Sequence, residues 1–137
     1  MSDRELTIGR LAERAGCNVQ TIRYYEQVGL MPAPARTRGN QRRYSEDHAR
    51  RLAFIRHARD LGFTMQTVAT LLDLAGDPGR PCKEVTALAQ ENLVVVKSRM
   101  SRLRALEREL QRLIASCSGG RRMNECRIIE ALSEPRR

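Results

Sequence analysis

At 137 residues the chain supports one modest core, or a small domain with an appendage. Only 4% of its residues are aromatic, so burial rests on aliphatic side chains of the kind that fill helical bundles, and a net charge of +9 points to a polyanionic partner. No stretch approaches the roughly 20 apolar residues of a membrane span and no signal peptide leads the chain, so a cytoplasmic protein with no membrane partner is expected.

Residues 7–15 (TIGRLAERA) put Ile8, Leu11, Ala12 and Ala15 on one helical face, with Thr7 as N-cap and Gly16 as the stop. Asn18 caps a second short helix over 19–28, ended by Gly29 and followed by Pro32 and Pro34. Two short helices joined by a three-residue turn containing glycine read as a helix-turn-helix. Residues 33–44, with Gly39 and Asn40 as turn signal, suit a small hairpin or wing. Ser45 caps a longer helix to about Leu61, with Glu46 and Asp47 in the first turn, and Gly62 ends it. Thr64 opens another, to about Leu74, closed by Gly76. Residues 77–81 (DPGRP) form a hinge, and Cys82 stands on its far side. Between Arg36 and Arg59 eight arginines face only Glu46 and Asp47. That density suits nucleic acid, although charge alone would equally describe a solvated basic face.

From about Lys83 to Ile114 there is neither glycine nor proline. Leu103, Leu106, Leu110 and Leu113 step by three, four and three, a coiled-coil seam that a chain this short has little left to cover. Self-association is the economical reading. Cysteines frame the stretch: Cys82 before it, Cys117 after it, and Cys126 beyond. A continuous helix here would run about 48 Å, whereas thiolates sharing an ion lie within about 4 Å, since metal–sulfur bonds are about 2.3 Å. Cys82 and Cys117 of one chain then cannot meet. Two antiparallel chains solve the problem, each bringing its Cys82 to the other's Cys117 and Cys126. Spaced cysteines in a reducing compartment suggest metal or redox chemistry more than disulfides. Residues 116–125 form a small polar loop, followed by an amphipathic turn (Ile128, Ile129, Leu132) and a basic tail expected to be disordered.

The runs TIGRLA (7–12) and TIRYYE (21–26), Gly39 and Asn40 with Arg42, Arg43 and Tyr44, and then LGFTM (61–65), resemble the MerR family of bacterial transcription regulators. The likeness covers nearly the whole chain in order. It implies a mainly α fold: a winged helix-turn-helix DNA-binding domain with a second helix pair (1–76), a hinge (77–82), a long antiparallel coiled-coil dimerisation helix (83–115), and a metal-binding loop, short helix and tail (116–137).

A recognition helix offers its N-terminal outward side chains to the major groove, here Asn18, Gln20, Thr21 and Arg23. Arginine can bond guanine edges bidentately, and asparagine or glutamine can bond adenine. By analogy with the family, Tyr24, Arg42, Arg43 and Tyr44 hold phosphates, contacts that fix register rather than read sequence. One of the adjacent tyrosines should face the core, and Tyr25 is the better choice. Ile22, Leu30 and Leu52 read as core alone. His48 and His57 read as surface residues or phosphate contacts rather than ligands.

The resemblance also assigns the cysteines. In metal-sensing members a residue at the start of the dimer helix joins two cysteines of the C-terminal loop, which Cys82, Cys117 and Cys126 match, with Cys82 supplied by the partner chain. Regulators of monovalent copper-type ions have serine where Cys82 stands, so the third thiolate points to Hg(II), Pb(II), Cd(II) or Zn(II), one ion per chain and two per dimer. Zinc-responsive relatives carry a second loop cysteine and a histidine, where this chain has Ser116 and Arg121, so Hg, Pb or Cd is favoured. Arg121 and Arg122 should offset the thiolate charge and depress the thiol pKa values. Cys17 sits in the helix-turn-helix turn, where several lead and cadmium regulators carry cysteine; the plainer reading is a small apolar residue in a tight corner.

The implied activity is a homodimer on double-stranded promoter DNA that lets RNA polymerase use the promoter when the ion binds. A redox sensor using a Cys117–Cys126 disulfide is the rival. An enzyme is not expected, because no nucleophile–base pair or phosphate loop stands out.

Overall fold

Each of the first four helices begins where a side chain can take an orphaned backbone N–H. In the computed structural model, which describes residues 5–36, 39, 42–117 and 119–135 and only the backbone of Arg42, α1 spans Ile8–Ala15 and α2 Val19–Gln27. Thr7 Oγ1 accepts from the Arg10 N–H at 3.2 Å, and Asn18 Oδ1 accepts from the Thr21 N–H at 2.8 Å. Helices α3 (Glu46–Asp60) and α4 (Met65–Ala75) are capped by Ser45 and Thr64. Between α1 and α2 the chain reverses at Gly16, whose φ of 68° is left-handed backbone that favours glycine. The Cys17 N–H then closes onto the Ala12 carbonyl at 3.1 Å. The helix-turn-helix is thus built from local signals, and α2 stops one residue short of the expected Val28, which is its C-cap.

The wing is a two-stranded antiparallel hairpin, β1 (Ala35–Arg36) on β2 (Arg42–Arg43), with Ala35 opposite Arg43. Asn40 of the expected turn lies outside the described residues, as do Arg136 and Arg137 of the expected disordered tail. At the base of the wing the Leu6 and Tyr44 backbones exchange hydrogen bonds of 2.7 and 2.9 Å, tying the N-terminal segment to the strand end.

Helix α1 packs on α2 and α3, and α3 on α4. Leu11, Ile22, Leu52, Ile55 and Val68 are completely buried at the centre, and Tyr25, Leu30 and Met31 close the sides. Each such side chain contributes about 1.5–3 kcal/mol when removed from water.

Helix α5 runs unbroken over Lys83–Ala115, 33 residues with none buried. Packing divides the chain within it, between Leu88 and Ala89. After α5 the expected loop 116–125 closes with a 3-10 turn at Met123–Glu125, and α6 (Arg127–Ser133) starts directly after Cys126. Among the described residues no helix is long and apolar enough to cross a membrane.

Candidate metal centre and nucleic-acid interface

At the start of α2, Asn18 and Gln20 are exposed and Val19 and Thr21 are half-buried. Asn18, Gln20, Thr21 and Tyr24 line one cleft of about 440 Å³, together with Tyr25, Arg59 and Met65. Arg23 is exposed on the same helix. The Asn18 side-chain oxygen is already shared by the Thr21 N–H and the Thr21 hydroxyl, at 2.8 and 2.9 Å. Its cap role leaves the amide N–H₂ as the group turned to other partners. Arg59, the last of the eight arginines of the basic run, is placed in the cleft by α3, which no motif signals; its guanidinium also donates to the Phe63 carbonyl at 2.8 Å.

Two expectations need correction. Tyr44 is not an exposed phosphate contact. It is 1% exposed, its hydroxyl donates to the Glu26 carboxylate near the end of α2, and its ring meets His48 edge-on at 5.3 Å. The pairing of Leu6 with Tyr44 draws the side chain inward, and a buried phenol needs an acceptor. His48 is half-buried rather than a free surface group: it completes a capping box, its Nδ1 accepting from the Ser45 N–H at 3.1 Å. Arg43 is half-buried, with Nε 3.9 Å from the Glu5 carboxylate, and the Arg42 side chain lies outside the described residues.

At the other end of the chain, Cys117 and Cys126 stand with their sulfurs 3.9 Å apart. The 3-10 turn and the bend before it fold the second cysteine back onto the first. The Cys117 thiol is held below its ordinary pKa chiefly by the Gly119 backbone N–H. Desolvation opposes this, while the Cys126 thiol, the Arg127 backbone and the charge of Arg121 add to the lowering. The expected arginine effect is therefore present from Arg121 but secondary to backbone donors. Cys82 is exposed at the head of α5, its carbonyl accepting from the Thr86 N–H at 3.0 Å. Among the described residues no group of three or more His, Cys, Asp or Glu is gathered closely enough for an ion, and within the C-terminal unit the paired sulfurs are those of Cys117 and Cys126. Cys17 packs half-buried against the core, and burial pushes its thiol pKa up, with Arg56 partly offsetting.

A winged helix-turn-helix followed by a long uncovered helix and a two-thiol loop defines a DNA-binding regulator with a sensing end. The comparisons agree. Residues 6–75 match the MerR HTH family regulatory protein model, and residues 49–113 match the model for MerR, DNA binding. The chain is 41% identical over 129 residues to the HTH-type transcriptional regulator ZntR of Escherichia coli K12, covering 93% of this chain and 92% of that one. It is 39% identical to the mercuric resistance operon regulatory protein of Serratia marcescens, covering 96% and 92%. Among solved structures, the transcription regulator PbrR691 from Ralstonia metallidurans CH34 in complex with lead(II) superposes with a TM-score of 0.79 at 44% identity, covering 93% and 99%. The chain belongs to the MerR family, and it is a metal-responsive transcription regulator rather than an enzyme.

Proposed function

We propose that this regulator is a cytoplasmic homodimer that sits on promoter DNA and switches transcription on when a thiophilic divalent ion enters a composite site of Cys117, Cys126 and the Cys82 thiol of a second copy. The observation that carries this reading is the 3.9 Å sulfur separation. Two sulfurs sharing an ion at about 2.3 Å each lie roughly 3.8 Å apart at a tetrahedral angle and roughly 4.0 Å apart at a trigonal one. The pair is therefore already at ligand spacing. The donor set fits as well: two soft sulfurs stand at this spacing, and the Gly119 and Arg127 backbone N–H groups lower the Cys117 thiol pKa.

The third thiol comes from a partner because Cys82 heads a 33-residue helix whose apolar seam is open, with Leu103, Leu106 and Leu110 all at least half exposed. Antiparallel pairing covers that seam and brings each Cys82 to the other chain's loop. Two sites then form per dimer. Three sulfurs with no histidine in the loop favour Hg(II), Pb(II) or Cd(II), with Zn(II) admitted if water or a backbone oxygen completes the shell.

On DNA, Gln20 and Arg23 read base edges. Asn18 uses its free amide, Thr21 packs beside it, and Tyr24, Arg42 and Arg43 hold the backbone. Ion capture favours one relative setting of the two DNA-binding units, which distorts the promoter so that RNA polymerase can engage it. Such a switch needs differential affinity of the two settings for the ion, not tight binding alone.

The test is transcription in vitro from the cognate promoter with Hg(II), Pb(II), Cd(II), Zn(II), Cu(I) and Ag(I) in turn. Activation by divalent ions, one ion per chain, and loss of response in Cys82→Ser are expected. A response confined to the monovalent ions would overturn the assignment of Cys82. The same 3.9 Å spacing favours one second reading, a thiol redox switch in which Cys117 and Cys126 are oxidised to a disulfide. That reading requires a reductant-sensitive response that survives Cys82→Ser.

A further inference from the structure

Residues 77–82 carry the chain from α4 into α5, and their geometry is more constrained than a hinge requires. The Arg80 N–H closes a turn onto the Asp77 carbonyl at 3.1 Å. Pro81 follows, which fixes its own φ and keeps Arg80 extended. The Arg80 side chain then reaches over Pro81, Cys82 and Lys83 to Glu84 on the first turn of α5. Both Nε and Nη2 donate to the same oxygen, Oε1, at 3.1 and 2.7 Å. From the other side, the Cys82 carbonyl accepts from the Thr86 N–H at 3.0 Å and from the Thr86 hydroxyl at 3.2 Å. Cys82 thus lies inside the loop that the Arg80–Glu84 pair closes, its carbonyl held by Thr86 while its thiol stays exposed.

The same arginine faces the DNA-binding helices. Arg80 and Cys82 line one cavity of about 330 Å³ whose other walls include Phe54 of α3, Leu71 and Leu74 of α4, and Val85 of α5. Any shift of the head of α5 changes this wall. The ion pair itself is half exposed on both sides, with 47% and 45% of the side-chain surfaces open. Pairs in that setting add little to stability. Its use is better sought in geometry.

We propose that Arg80 and Glu84 are positioning residues, a clamp that fixes Cys82 at the head of α5 and couples ion capture there to the α3–α4 wall. The proposal rests on the three-cysteine ion site above. Neither side chain is an ion ligand. What the clamp supplies is stiffness: when Cys82 is pulled toward an ion, the hinge and the wall move with it instead of the hinge absorbing the motion. Coupling between two sites in one protein of this kind is commonly worth about fivefold or more.

The experiment is a double-mutant cycle in the full-length dimer: Arg80→Ala, Glu84→Ala and the double variant, with Pb(II), Hg(II), Cd(II) and Zn(II) each supplied alone. Three quantities are measured: ion affinity and stoichiometry by chelator competition, promoter activation at saturating ion, and hydrogen exchange of the Thr86 N–H without ion. Each single variant should keep one ion per chain with affinity within about threefold, yet lose about fivefold or more of maximal activation. Exchange of the Thr86 N–H, which is bonded to the Cys82 carbonyl, should rise severalfold, and the double variant should be no worse than either single. Should an alanine variant fail to fold, Glu84→Gln keeps an acceptor for Arg80 and should show a smaller loss in the same direction. Wild-type activation in the single variants, or losses that simply add in the double, would overturn the clamp. Absence of ion binding by the wild type would instead sink the three-cysteine site, and the exchange measurement would still report on the clamp.

Discussion

In the unit that ends at Leu88, Leu11, Ile22, Leu52, Ile55 and Val68 are all without solvent exposure, whereas no residue of α5 or α6 is buried. The two regions also treat charge differently. In the first, arginines that look like a phosphate-binding face serve partly as fasteners: Arg51 Nε donates to the Leu30 carbonyl at 2.6 Å and Arg56 to the Gly16 carbonyl at 3.2 Å. They satisfy carbonyls at the C-cap of α1 and in the turn after α2, where no helix supplies a donor. In α5, Arg112 pairs along the helix surface with Glu109. The contrast separates a region that completes its own core from one whose apolar seam is left open, the seam that the proposed antiparallel pairing would cover.

The largest effect expected from that contrast is on assembly. Replacing both Leu106 and Leu110 by serine removes four leucines from an antiparallel pair of seams. At about 1.5–3 kcal/mol per buried leucine, that is on the order of 6 kcal/mol or more of association free energy. Sedimentation should find monomers at concentrations where the wild type is dimeric, and the wild-type melting temperature should rise with concentration while the variant's should not. If the variant remains a dimer, the seam is covered in some other way and the comparison fails.

Next comes the core of the first unit. Leu52→Ala, at a site of α3 with no exposure in the core cluster, should cost about 2–5 kcal/mol in denaturant unfolding. The same change at Leu103, 64% exposed in a single chain, should act only through dimer strength. Equal, concentration-independent losses at both positions would erase the distinction between the two regions.

Tyr44 tests the correction to the wing. If its hydroxyl braces the wing base against Glu26, Tyr44→Phe should lower stability by about 1–2 kcal/mol, with operator affinity unchanged once the folded fraction is taken into account. A phosphate contact predicts the reverse: intact stability and weaker DNA binding. Equilibrium unfolding and a binding titration on the same variant decide between them.

Why some of this was legible in sequence, and some not, follows from range. Thr7, Asn18, Ser45 and Thr64 cap helices through contacts three residues away, and the run free of glycine and proline gave α5 its bounds, so these features could be read directly. The pairing of Leu6 with Tyr44 joins segments 38 residues apart, and no local pattern announces it. The His48 capping box was hidden because histidine stands where glutamate or glutamine is the usual signal. At the sensing end the three cysteines and their spacing were plain. The dominant influence on Cys117 was not, because a backbone N–H at Gly119 has no side-chain signature.

The smallest expected effect concerns those thiols and carries a sign. Alkylation by iodoacetamide requires thiolate, so the pH at which labelling reaches its plateau follows the thiol pKa. Cys117 is shifted down, chiefly by the Gly119 N–H, and Cys17 is shifted up by burial. In reduced, metal-free protein, Cys117 labelling should therefore plateau at lower pH than Cys17 labelling, and at neutral pH Cys17 should be the slower of the two by severalfold. Peptide mass spectrometry across a pH series reads both sites in one sample. Equal plateaus would mean that the loop donors do not reach the Cys117 sulfur in solution, and the thiolate character of the sensing end would have to come from the partner chain or from the ion.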